Sequence, residues 1–474
     1  MKKVLLVNTN TEKAPYPVPP LGLCMLASCL EGKYEVRIHD GMFDKGEELT
    51  EEVLKFNPDY IGFSIRNIDN TMPENPVHYL DEQVKRFIRP VQKISPATII
   101  LGGSGFSIFP EELMKITGAD YGISGEAEQA LPRLLDELER GGDLSEIVNL
   151  FQKTGKRNIS NHCISTDSSG RHGFPDIDLR IDFTPYGKRS AYPIQTKRGC
   201  AHGCIYCTYP LIEGTTFRTR EPADIAEEIE QASHRLGNVM FEFVDSTFND
   251  PKGHAEDICR EIIRRKLNVK LRTMGINPRN SSRELFGLML NAGFVQIDAT
   301  PDSASPEMLI RMGKGFSREE IEKMAVLIQE FDIPTMWFFL FGGPGENEKT
   351  VSETIDFIDR FVNPEDLVYM AAGLRIYPDT PLEKISIREG RIQGGQSLLY
   401  PQQFYFSKEI SRERIDQLIT ETSLQRHNCL PSSETRASAE MLEQAQQLRD
   451  SLGLKEPMFR TLLRVRKEKM RKGL

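Results

Sequence analysis

No stretch of this 474-residue chain approaches the ~20 consecutive apolar residues that a membrane-spanning helix needs. Basic residues are not in excess either: 60 Lys and Arg stand against 69 Asp and Glu, a formal net charge of −9. That balance argues against broad electrostatic capture of nucleic acid. There is no internal repeat and no low-complexity tract. The start, Met1-Lys2-Lys3 and then Val4 to Val7, has too short an apolar run for a signal peptide, and a cytoplasmic protein is expected. Of eight cysteines, five are scattered, which is no disulfide framework. What remains is an ordinary soluble composition, 39% hydrophobic and 27% charged, in a chain long enough for two or three domains.

Residues 1–140 alternate strand and helix patterns. Short apolar runs at Lys3–Val7, Tyr34–Ile38, Tyr60–Ser64, Thr98–Leu101 and Tyr121–Ile123 are separated by helical spacings. They predict a parallel sheet covered on both faces, a doubly wound, flavodoxin-like α/β layer whose ligand sits beyond the carboxyl ends of the strands. Residues 141–190 read as a linker or wrapping segment, with Gly141-Gly142, several prolines and the polar stretch Ser165–His172. Six strand–helix units follow over 191–395, with strands predicted at Pro193–Lys197, Val239–Val244, Val269–Thr273, Phe294–Ala299, Thr335–Leu340 and Met370–Ile376. They predict a partial (βα)6 barrel with its chemistry at the carboxyl ends of the strands. Residues 396–474 read as mostly helical, ending in a basic stretch from Arg460 that is expected to be a solvated helix end.

The three remaining cysteines are clustered. Arg198-Gly199-Cys200-Ala201-His202-Gly203-Cys204-Ile205-Tyr206-Cys207 follows directly on the first barrel strand. Three thiolates so close together can bind three corners of a cubic iron–sulfur cluster, leaving one iron open. The alternatives are a zinc site, for which His202 is the only nearby fourth ligand, or three ordinary buried cysteines.

CxxxCxxC with an aromatic residue before the last Cys, at the end of the first strand of a partial barrel, resembles the radical S-adenosylmethionine (SAM) enzymes. The resemblance implies a [4Fe–4S] cluster on Cys200, Cys204 and Cys207. Its open iron is chelated by SAM, and SAM is cleaved to a 5′-deoxyadenosyl radical. It also places Tyr206 beside the adenine and makes Asp245 and Ser246, at the end of the second strand, the polar contacts to SAM. Phe341-Gly342-Gly343-Pro344-Gly345-Glu346 resembles the family's glycine-rich segment, so Gly343 joins the SAM-binding residues. The end of the fourth strand, Asp298-Ala299-Thr300-Pro301-Asp302-Ser303, departs from the family pattern, and the resemblance assigns Asp302 and Arg311 to SAM there.

The first domain resembles the cobalamin-binding domain that precedes the barrel in one branch of this family, through Pro19-Pro20-Leu21-Gly22, Gly102-Gly103 and Gly125-Glu126-Ala127-Glu128. Cobalamin is thus an implied cofactor, with Gly22, Ser64, Arg66, Gly102, Gly103, Gly125 and Glu126 as the expected binding residues. The D-x-H-x-x-G motif, whose His ligates cobalt in many cobalamin proteins, is absent, since His39-Asp40-Gly41 has the wrong order. The implied activity is methyl transfer from SAM, via methylcobalamin, to an unactivated centre. Rearrangement or cyclisation with the same cofactors is the alternative. A tRNA methylthiotransferase would need three more cysteines in the first domain, which holds only Cys24 and Cys29. Expected partners are a small-molecule or peptide substrate and an external electron donor such as flavodoxin or ferredoxin, with no membrane or nucleic acid. No motif identifies the substrate.

Overall fold

The computed structural model describes residues 1–44, 46–154, 157–158, 174–187, 190–434 and 437–472. Cys163 and the stretch Ser165–His172 lie outside the described residues. The first sheet holds β1 (Lys3–Asn8), β2 (Glu35–Asp40), β3 (Tyr60–Ser64), β4 (Thr98–Gly102), β5 (Tyr121–Ile123), β6 (Leu150–Gln152) and β7 (Arg157–Asn158), in the order β2-β1-β3-β4-β5-β6-β7. Successive side chains of β1 point to opposite faces: Leu5 and Val7 enter one apolar cluster, Val4 and Leu6 another. A strand apolar on both faces needs cover on both, and helices supply it. The first five strands are parallel, as expected for a doubly wound layer. The chain leaves β1 for β2 on one side and reaches β3 on the other, so the switch point lies between β1 and β3.

The sheet does not end near residue 140. β6 and β7 add to it antiparallel and lie inside the segment read as a linker. Strands of three and two residues have too little periodicity to be read locally.

The second sheet is the partial barrel. β8 (Ala191–Ile194) is followed by the short antiparallel pair β9 (Lys197–Arg198) and β10 (Arg218–Thr219). Then come β11 (Met240–Phe243), β12 (Lys270–Ile276), β13 (Phe294–Asp302), β14 (Thr335–Phe341) and β15 (Leu367–Ala372). A second antiparallel pair, β16 (Leu374–Arg375) and β17 (Phe404–Tyr405), precedes β18 (Cys429–Pro431). The barrel order is β18-β15-β14-β13-β12-β11-β8, all parallel. Six of its strands were expected; β18 is a seventh, drawn from the region read as helical. Phe241, Phe243, Ile297, Trp337, Phe339 and Val368 face outward into one core with the surrounding helices.

The C-terminal helix Met458–Arg471 closes the amino end of the barrel. Its Phe459 and Leu463 pack on Leu367, Met336 and Tyr369, and Arg460 Nη2 donates to Asp366 Oδ1 at 3.1 Å. The basic tail is paired: Arg464 with Glu456, Arg466 with Glu434 and Lys469 with Glu440. No helix among the described residues is long and apolar enough to cross a membrane.

Candidate active site

The Cys200–Cys207 loop leaves the carboxyl end of the β8 side of the barrel and is pinned on three sides. Cys200 N–H donates to Gly214 O at 3.0 Å, Ile205 N–H to Met312 O at 3.1 Å, and Leu382 N–H to Ile205 O at 2.9 Å. Gly199 has φ +84°, and a Cβ there would lie 2.0 Å from Thr216 O, so only glycine fits. Cys200 is buried; Cys204 and Cys207 are partly exposed. Burial raises the Cys204 thiol and pushes Cys207 to about 11, opposed in both by the nearby Lys314 cation.

Tyr206 and Asp302, far apart in sequence, meet beneath this loop. The Tyr206 hydroxyl and the Lys314 ammonium both donate to Asp302 Oδ2, the second at 2.5 Å. Lys314 also donates to Thr300 O at 3.3 Å. Sequence reasoning missed Lys314, which follows Met312-Gly313 in a tight turn. A Cβ on Gly313 would lie 2.3 Å from Gly203 O, so this turn rests directly on the cysteine loop. Arg311 pairs with Glu307 and lies over Gly345. In the same glycine turn, Glu346 Oε2 accepts from Gly342 N–H and Gly343 N–H. Burial pushes this carboxyl up to about 7, against the pull of those two donors. Tyr206, Asp302, Arg311 and Gly343 thus gather around one corner of the barrel mouth.

Asp245 is elsewhere in its chemistry. Its Oδ1 accepts from Thr196 N–H at 2.8 Å and Lys197 N–H at 3.2 Å, and its Oδ2 from Thr196 Oγ1 at 2.7 Å. Lys197 Nζ stands 3.6 Å from Oδ2, and both side chains are buried. Asp245, expected as a polar contact to SAM, is engaged by Thr196 and Lys197 in this structure. The carboxylate is turned inward and ties the end of β11 to the strand entering the cysteine loop. Ser246 Oγ donates to Gly199 O at 3.4 Å, directly onto that loop.

On the first domain, Ser64 and Gly102 end β3 and β4 beside the switch point, and Thr9 Oγ1 donates to Ser64 O at 2.8 Å. A Cβ on Gly103 (φ +96°) would lie 2.7 Å from Ile65 O. Gly22 has open space where its Cβ would be. Gly125 N–H donates to Ser107 Oγ at 2.7 Å. Arg66 is exposed, and its charge is felt by Tyr209, just beyond the cysteine loop. The Glu126 carboxylate is held by Arg198 and Arg218 of the β9–β10 pair, and Glu128 pairs with Arg198. These two acids clamp the first domain to the cysteine loop. His39 cannot reach outward, because Nδ1 bonds Glu52 and Nε2 bonds Asp44, each at 2.8 Å.

The donor sets can be tested against the implied groups. Among the described residues no three His, Cys, Asp or Glu side chains converge on a single ion. A cubic cluster instead wants its three thiolates on three separate irons, which suits three cysteines spread around a loop. His202, the candidate fourth zinc ligand, bonds Asp250 Oδ2 at 2.9 Å. At the ligand side of the first sheet Arg66 and Gly22 are exposed and Ser64 and Gly102 partly so, the place where a doubly wound sheet takes its ligand.

Comparison with known proteins agrees. Residues 194–358 match the radical SAM superfamily, and residues 7–135 match the B12 binding domain. An uncharacterized methyltransferase of Pyrococcus horikoshii, PH0819, is 25% identical over 401 residues, 81% of this chain and 83% of its own. Tryptophan 2-C-methyltransferase of Streptomyces laurentii is 25% identical over 453 residues, 80% of this chain and 74% of its own. Among solved structures, the radical SAM methyltransferase TsrM of Kitasatospora setae, with tryptophan substrate and a SAM analogue bound, superposes with a TM-score of 0.82. It is 24% identical, with both chains fully covered. The cobalamin-dependent radical SAM enzyme OxsB gives 0.74 at 18% identity, covering 100% of this chain and 71% of its own. The chain belongs to the radical SAM superfamily, to the branch that carries a B12-binding domain ahead of the barrel.

Proposed function

We propose that this protein transfers a methyl group from SAM to an unactivated centre of a small molecule, using a [4Fe–4S] cluster and cobalamin. The observation that carries this reading is the clamp of Arg198 and Arg218 on Glu126 and Glu128. These ion pairs join the segment that enters the cysteine loop to the turn after β5 of the first sheet, which supports two cofactors that would face one space. The methyltransferase relatives support the choice of reaction.

When bound, the cluster and SAM supply an organic radical, and cobalamin carries the methyl group. Cys200, Cys204 and Cys207 would hold the cluster. Tyr206, Ser246, Asp302, Arg311 and Gly343 would border SAM, with Lys314 as a further cation beneath the loop. Asp245 would act by holding Thr196 and Lys197 in place. Gly22, Ser64, Arg66, Gly102, Gly103 and Gly125 would border the corrin, and Glu126 would serve the clamp. Electrons would come from an external donor such as flavodoxin or ferredoxin. The methylthiotransferase alternative would need three cysteines in the first domain, which holds only Cys24, buried in the core, and the partly buried Cys29.

Cyclisation stays the competing outcome, because anaerobic magnesium-protoporphyrin IX monomethyl ester cyclase of Cereibacter sphaeroides is also 25% identical, over 352 residues. Product stoichiometry with the true substrate separates the two. Methyl transfer gives S-adenosylhomocysteine and 5′-deoxyadenosine at about one to one. A reaction yielding 5′-deoxyadenosine without matched S-adenosylhomocysteine would refute the methyltransferase reading.

A further inference from the structure

The inward face of the barrel strands holds polar chemistry that neither implied cofactor uses. Register puts Glu242 of β11 beside Arg272 of β12, Arg272 beside Gln296 of β13, and Asp298 beside Met336 of β14. Phe338 of β14 pairs with Tyr369 of β15. All of these side chains share the face opposite the outward core, because side chains alternate along a strand. They are not packed solid. Met274, in the middle of β12, keeps 45% of its surface exposed, and Gln296, Asp298, Phe338 and Tyr369 are only half-buried, while Ile297, Ala299, Trp337, Phe339, Val368 and Met370 beside them are buried. The lumen is an open space.

Its charges do not balance. Glu242 accepts from the Tyr16 hydroxyl at 2.7 Å and pairs with Arg272 at 2.7 Å, whose guanidinium lies 4.3 Å over the Tyr16 ring. That acid is neutralised. Asp298 has only Gln296 Nε2, donating to Oδ1 at 3.2 Å, and no ion-pair partner among the described residues. The titratable groups that face it are Glu242, Arg272, Tyr16 and Tyr369. Burial pushes its carboxyl up to about 7, with Glu242 adding to the rise and Gln296 and Arg272 opposing it. Nearby, the Phe338 and Tyr369 rings are stacked 5.3 Å apart, presenting aromatic faces that attract cations. Met274 and Met336 supply soft, adaptable walls.

We propose that the barrel lumen binds a protonated nitrogen of the substrate, with Asp298 as its counter-ion and Phe338 and Tyr369 as its aromatic wall. This rests on the radical SAM reading for the identity of the lumen as the substrate site. A neutral group of the same shape would gain no ion pair with Asp298.

The probe is benzylammonium, with benzyl alcohol as its neutral counterpart, in equilibrium dialysis against the anaerobically reconstituted enzyme. At pH 8 benzylammonium should bind at least about tenfold tighter, since only the cation forms a charge-assisted hydrogen bond with the ionised carboxylate. The preference should fade as pH falls through about 7, because protonation of Asp298 removes the counter-ion. Asp298→Asn should abolish both preference and pH dependence while iron and cobalamin contents stay unchanged. Equal binding of the two probes, no measurable binding of benzylammonium, or a preference that persists in Asp298→Asn would overturn the proposal. Should that variant fail to fold, the pH profile of the unmodified enzyme decides alone. Absence of iron or cobalamin from the unmodified enzyme would instead sink the cofactor reading, a result independent of the probes.

Discussion

Replacing Asp245 by Asn tests whether this residue serves SAM or the cysteine loop. In the structure its carboxylate takes three hydrogen bonds from Thr196 and Lys197 and faces the Lys197 ammonium at 3.6 Å. Asn can keep the two backbone bonds through its Oδ1. Its amide nitrogen then replaces Oδ2, so Lys197 loses its anion and keeps, among the described residues, only Phe248 O at 3.4 Å. Breaking one partner of a buried ion pair costs about 3–5 kcal/mol, because the other charge stays desolvated. Against a total stability of about 5–15 kcal/mol this is a large fraction. It corresponds to a fall in melting temperature on the order of 10 °C. The loss falls on the two residues before Arg198, where the cysteine loop begins, so iron uptake should fall as well. The assay is anaerobic reconstitution with iron and sulfide counted, beside a thermal melt, using Cys200→Ala as the reference for a lost ligand. Adding Lys197→Met to Asp245→Asn should recover much of the stability, because it removes the stranded charge. Full iron content and an unchanged melt, combined with lost SAM binding, would refute this reasoning and return Asp245 to the SAM amino group.

Two further outcomes are expected. Electron paramagnetic resonance of the reduced cobalamin form should show no nitrogen splitting from the protein, because His39 is tied between Glu52 and Asp44; observed splitting from a protein nitrogen would contradict this. Stability should depend on pH through Glu346, which is raised from 4.5 to about 7 by burial. The folded carboxyl holds its proton up to about pH 7 and the unfolded one only to 4.5, so stability falls as pH rises between these values, by up to about 3 kcal/mol, and is level above them. Glu346→Gln should therefore raise the melting temperature at pH 8 and leave it unchanged at pH 4; an equal shift at both would remove Glu346 as the cause.

The parts of the fold that depend on local pattern were legible. The apolar runs at Tyr60–Ser64 and Tyr121–Ile123 became β3 and β5 with the same limits, and the first six barrel strands lie within a few residues of their expected places. β6, β7 and β18 were not legible, because strands of two or three residues carry no period and exist only through their neighbours. At the site, the spacing of Cys200, Cys204 and Cys207 is itself the signal. Asp245 shows the opposite case. A carboxylate at a strand end can face a ligand or turn back on its own loop, and only the position of Thr196 and Lys197 decides. Lys314 had no signal except its turn, Met312-Gly313-Lys314-Gly315, which makes sense only once Gly203 is known to lie against it.

The same distinction explains why the sequence announces cofactors but not a substrate. Cofactor frames are built from contiguous loops, where a few glycines or cysteines at fixed spacing do the binding. The lumen is assembled from single residues far apart in the chain. Tyr16 comes from a loop of the first domain, Glu242, Arg272, Asp298 and Phe338 from four strands, and Phe459 and Leu463 from the last helix. A seven-stranded sheet cannot close on itself as the eight-stranded barrel does. Its floor must be sealed by whatever the neighbouring segments supply. Tyr16 does so beside β8, where Ser190 Oγ donates to Pro17 O at 2.5 Å, and the Phe459 helix does so beneath β14 and β15. Changes in those two flanking segments can therefore reshape the lumen without touching a cysteine or a glycine of the cofactor loops. Relatives that share the frames at about 25% identity can on this account act on different molecules, with the difference written in residues that no motif contains.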